Sequence, residues 1–142
     1  MKKFFALILV SILTIIVCLT SCTNDTANSQ DLWDDATYKE DTTFGKGAKT
    51  VEVEVKAEDK SVTFTINTDK NNLGEALLEH KLVSGEKGAY GLYIKFVNGI
   101  EADYSKTQSY WSFCKNGESV AHGVDAEEIK DGAHYELVYT KE

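Results

Sequence analysis

Residues 51–66 read VEVEVKAEDKSVTFTI. Val51, Val53 and Val55 alternate with Glu52, Glu54 and Lys56, the period of two expected of a half-buried strand. Glu58-Asp59-Lys60 turns the chain, and Val62, Phe64 and Ile66 then alternate with Thr63, Thr65 and Asn67. The two arms predict an antiparallel hairpin with one apolar face. Downstream, Asn72 with Glu75 three residues later has the form of a capping box, and Leu73, Ala76, Leu77 and His80 repeat at helical spacing before Gly85. One helix of about three turns is expected there.

Alternation returns over residues 90–97, followed by Asn98-Gly99, a pair suited to the positive backbone angles of a tight turn. Residues 110–114 read as another strand, Asn116-Gly117 as a second turn and residues 118–121 as the return. Asp131-Gly132 precedes a last strand over residues 134–140, in which Tyr135, Leu137 and Tyr139 share a face. The order strand, strand, helix, strands predicts an α+β fold of the β-grasp type, one helix packed on a mainly antiparallel sheet. A β-sandwich is the competitor, and the helix argues against it.

Upstream, Met1, Lys2 and Lys3 precede the apolar run FFALILVSILTIIVCL at residues 4–19, the charged and apolar regions of a signal peptide. The run ends in Leu19-Thr20-Ser21-Cys22, which matches a lipobox, so cleavage before Cys22 and lipidation of its thiol are expected. An uncleaved membrane anchor is the alternative, since about 17 apolar residues can span a bilayer. Residues 1–21 are thus assigned to a lipoprotein signal, 22–48 to a flexible polar tether and 49–142 to the folded domain. The expected location is the extracytoplasmic face of the cell membrane, held by lipid. Trp33, Tyr38 and Phe44 are the tether's scattered aromatics, with docking onto the domain as the alternative to a mobile leash.

Loss of Lys2 and Lys3 leaves 13 lysines against 23 acidic side chains, a formal charge of −10, which disfavours nucleic acid as a partner. The chain has no arginine, so no bidentate fork for phosphate or carboxylate is available. Cys18 leaves with the signal and Cys22 carries lipid, so Cys114 stands alone, which excludes an intramolecular disulfide and a thiolate cluster.

The segments Ala89-Tyr90-Gly91-Leu92, Val97-Asn98-Gly99-Ile100, Ser109-Tyr110-Trp111-Ser112-Phe113, Gly123-Val124 and Asp131-Gly132 carry a resemblance. Over residues 49–142 the chain resembles the C-terminal domain of the transcobalamin and intrinsic factor family, of the kind grouped as DUF4430, which also occurs alone on bacterial lipoproteins. In the animal proteins this domain closes over one side of a cobalamin held mainly by a separate helical barrel. By position, the resemblance implies that Ile94, Phe113 and Val120 are apolar corrin contacts, with Tyr90 and Trp111 as flanking aromatics. A corrin's apolar face and amide-bearing edges call for such surface ringed by polar groups. Core packing is the competing role for Ile94, Trp111 and Phe113, whereas Val120 follows a turn and is expected to be exposed.

His80, His122 and His134 match no compact metal-ligand spacing, and no metal site is expected. His122 lies beside Val120 and Gly123 and is kept as a cobalt or propionamide contact. No base is readable beside Cys114, no carboxylate pair sits on rigid structure, and the glycines show no phosphate loop. No enzyme and no required cofactor are expected. The leading reading is a lipid-anchored domain that captures a cobalamin-like or other flat hydrophobic ligand, for handover to a transporter. The rival is a surface module that recognises a protein or envelope polymer.

Overall fold

The computed structural model describes residues 30–142; the signal region, Cys22 and the first part of the expected tether lie outside the described residues. The valine-rich hairpin forms as two nine-residue strands, β2 (Lys49–Ala57) and β3 (Lys60–Thr68), paired from Lys49↔Thr68 to Ala57↔Lys60. Val51, Val53, Val55, Val62, Phe64 and Ile66 are all buried on one face. Helix α1 (Leu73–Glu79) follows, and the Asn72 side chain caps it by accepting from the Glu75 amide at 2.8 Å. Its apolar stripe, Leu73, Ala76 and Leu77, is fully buried.

The helix has two turns rather than three. Lys81 takes φ +54, the Leu82 amide closes back on the Leu77 carbonyl, and Leu82 and Val83 turn into the core to begin a strand. Gly85 is therefore not a helix terminator. It lies at a bulge in that strand, where a Cβ would stand 1.9 Å from the Tyr93 carbonyl oxygen.

Two sheets follow, not one. β4 (Val83–Gly88), β5 (Gly91–Val97) and β6 (Ile100–Glu101) make a small antiparallel sheet, with Asn98-Gly99 at positive φ between its last two strands. Helix α2 (Tyr104–Thr107), which the sequence reading did not foresee, is capped by Asp103. β7 (Ser109–Lys115), β8 (Glu118–Ser119) and β9 (His134–Lys141) then join the first hairpin. With β1 (Thr42–Phe44), the large sheet has the order β1-β3-β2-β9-β7-β8. β9 lies parallel to β2 and antiparallel to β7, and β1 lies parallel to β3, so the sheet is mixed. The architecture is α+β, dominated by strands.

The expected leash over 22–48 is corrected by its described part. Asp31–Glu142 forms one compact unit. Trp33 is 5% exposed, and its indole N–H donates to the Ala57 carbonyl at 2.9 Å. Tyr38 and the buried Asn98 exchange two hydrogen bonds of 2.8 Å. Phe44 packs edge-on against Tyr38 and Phe64 while β1 adds to β3. One buried indole and a ring cluster outweigh the polar composition of the segment, because each large aromatic removes about 150–250 Å² from water.

Candidate functional site

β5 and β7 belong to different sheets and are not neighbours in either, so a cleft opens between them. It encloses about 440 Å³. Trp111 and Phe113, each 8% exposed, point inward from β7 by the period of two and form its floor with Leu92 and Val124. Ile94, Tyr93, Tyr104, Tyr110, Val120 and His122 contribute to the walls, with Ser112, Ser119 and Gly123. Trp111 packs edge-on to Tyr139 at 5.5 Å, and its indole N–H is buried with no acceptor.

The loop after β8 is fixed by charge. The buried Glu127 carboxylate accepts from the Lys115 ammonium at 2.5 Å and from His122 Nε2 at 2.7 Å, and the His122 ring stands edge-on to Phe113 at 6.3 Å. Burial opposes ionisation of Glu127, but the hydrogen bonds from Lys115 and His122 outweigh it and hold the carboxyl below its usual range. The same bond to Glu127 pushes the Lys115 ammonium up. Two residues earlier, Asp125 accepts from the Leu92 amide at 3.1 Å and ties the loop to the start of β5. His122 is thereby held at the rim of the cleft.

Of the six residues singled out from sequence for ligand contact, the structure gathers Ile94, Trp111, Phe113, Val120 and His122 around this cleft. Tyr90 is not among them: it sits fully exposed in the two-residue turn between β4 and β5. Val120 is half-buried against the core rather than exposed, because its amide donates to the Phe113 carbonyl and holds it beside β7. Trp111 and Phe113 serve core and cleft at once. Tyr93, Tyr104 and Tyr110 were missed; the Asp103 cap was a legible signal for the turn that carries Tyr104, but four residues are too few for a periodic pattern.

Cys114 faces away from the cleft, and burial first, then the Glu136 charge, pushes its thiol up, which disfavours the thiolate. Glu54, His134 and Glu136 bring three donor atoms within 4.8 Å of one another on the opposite face of the large sheet.

A strand-dominated α+β domain with an aromatic cleft between its two sheets is thus the class defined by fold and site. The chain belongs to the family described as Domain of unknown function (DUF4430), which matches residues 71–141. A crystal structure of a protein from Ruminococcus gnavus, described as a candidate metal binding protein, is 36% identical with a TM-score of 0.63 over 67% of this chain and 99% of that one. Haptocorrin, solved in complex with Cbi, is 18% identical with a TM-score of 0.50, over 69% of this chain and 26% of haptocorrin, a likeness of fold. It supports the expected transcobalamin-like fold. Among curated proteins, no match is found.

Proposed function

We propose that this is a lipid-anchored, extracytoplasmic binding domain whose cleft captures a flat, largely apolar ligand of the corrinoid class. The observation that carries the reading is the convergence of Ile94, Trp111, Phe113, Val120 and His122 on one cleft. A volume of about 440 Å³ lies within the usual range of small-molecule sites, roughly 300–1,000 Å³. The cleft would seat one edge or face of a corrin rather than enclose it. Aliphatic and aromatic floor residues suit the macrocycle, while the partly exposed His122 at the rim suits its amide edges. The complex of haptocorrin with Cbi, on the same fold, supports the choice of ligand class. The sheet order, with the last strand β9 parallel to β2 and a helix after the β2–β3 hairpin, supports a β-grasp scaffold.

A second reading, a surface interaction module, is favoured by the exposed aromatics Tyr90, Tyr93 and Phe96 on the β4–β5 hairpin and by β4 as a sheet edge. Titration of the detergent-purified chain with cobinamide, followed by tryptophan fluorescence, separates the two. Saturable quenching is expected, weakened about fivefold or more by Val120→Ser, the value of one desolvated apolar side chain of roughly 1 kcal/mol. No quenching at millimolar cobinamide would overturn ligand capture in favour of the module.

A further inference from the structure

The core-averted face of the large sheet carries a charged cluster that the cleft does not use. β2 and β9 run parallel in the register Glu52↔His134, Glu54↔Glu136, Lys56↔Val138. The period of two therefore sets Glu52, Glu54 and Lys56 beside His134 and Glu136 on one face. His134 Nε2 lies 3.5 Å from Glu54 Oε2 and 3.8 Å from Glu136 Oε1, and His134 Nδ1 lies 3.4 Å from Glu52 Oε2. Lys56 Nζ bridges Glu136 Oε2 at 3.0 Å and Glu54 Oε2 at 3.3 Å.

We propose that Glu54, His134 and Glu136 form a divalent-cation site of the zinc class, oriented by Glu52 and occupied in the metal-free protein by the Lys56 ammonium. Geometry supports the ligand set. Bonds of about 2.1 Å in a tetrahedron separate neighbouring donors by about 3.4 Å, close to the two histidine–carboxylate spacings. The Glu52 carboxylate stands where it can accept from Nδ1–H, which places the Nε2 lone pair toward the two other carboxylates.

Charge supports the same site. Glu54 and Glu136 are directly paired across strands, a repulsive arrangement for like charges. Three carboxylates stand against one ammonium, a surplus that a divalent ion neutralises. Lys56 has a flexible stem and a side chain 37% exposed, so its head can move to water when the ion enters. Three protein ligands leave one position for water or a small anion.

The test is calorimetric titration of the chelator-stripped, detergent-purified chain with Zn²⁺, with Co²⁺ absorption reporting coordination number. One ion per chain is expected, bound about tenfold or more weakly after His134→Ala or Glu136→Gln. Lys56→Met should tighten binding several-fold by removing the internal competitor, and His122→Ala in the cleft should leave it unchanged. Should His134→Ala fail to fold, the ring-proton resonances of His134 in the unsubstituted chain must shift or broaden on adding Zn²⁺. Absence of saturable binding to about 1 mM, unmoved His134 resonances, no tightening by Lys56→Met, or loss of binding on His122→Ala would each overturn the assignment.

Discussion

Glu127 shows how one buried carboxylate sets the rim of the cleft. Its folded value lies below the ordinary 4.5 because the bonds from Lys115 and His122 outweigh the burial that opposes them. A depressed carboxyl contributes stability that is fully present above about pH 4.5 and is lost as pH falls through the lower folded value. Acid should therefore loosen the loop and destabilise the fold below about pH 4.5. Glu127→Gln should cost about 1–2 kcal/mol at pH 7 and flatten this acid limb, as read by urea midpoints across pH. An unchanged acid limb in the variant would remove Glu127 from the account. At this scale much of the cleft was legible. Trp111 and Phe113 share a face because the strand period is two, and both turn inward. Tyr90 escaped the same logic, since it lies in the turn before β5, where that period no longer applies. Val120 escaped it because a backbone bond to Phe113, invisible in sequence, draws it half inward.

At the scale of elements, legibility followed the length of the pattern. The hairpin of β2 and β3 and the Asn72 cap of α1 were readable because nine-residue alternation and a local cap need no distant partner. The segment from Asp31 to Phe44 was not, because three helical residues and a three-residue strand carry no period. Its order comes from contacts made far along the chain, Trp33 with Ala57 and Tyr38 with Asn98. The parallel pairing of β2 with β9 was equally hidden, because a long crossover leaves register to tertiary packing. Phe44 distinguishes a docked element from a leash. It meets Tyr38 and Phe64 edge-on at 5.2 and 5.6 Å and stacks on His80 at 5.3 Å. Phe44→Ala should lower stability by about 2 kcal/mol, less than a fully enclosed phenylalanine because this ring is half-buried. Chemical denaturation measures it, and a change within about 0.5 kcal/mol would mean that the segment adds nothing to the fold.

At the scale of the whole molecule, the proposed function joins the folded unit to its place in the cell through residues 1–30. Among the described residues no helix is long and apolar enough to cross a membrane, so the reading of the anchor rests on the sequence before them. Two mechanisms fit the apolar run at residues 4–19: cleavage with lipidation at Cys22, or retention as a membrane span. They differ in chemistry rather than in membrane association, because an uncleaved run would also hold the chain at the bilayer. Labelled palmitate discriminates between them. In the lipoprotein reading Cys22 provides the thiol, and the removed segment takes Cys18 with it, so the unsubstituted chain should incorporate label and run at its processed mass. Cys22→Ala should abolish labelling and leave a larger precursor that still fractionates with membranes, whereas Cys114→Ala, altering a partly buried thiol on β7, should label normally. Labelling that persists in Cys22→Ala would end the lipoprotein reading and move the anchor to the uncleaved run.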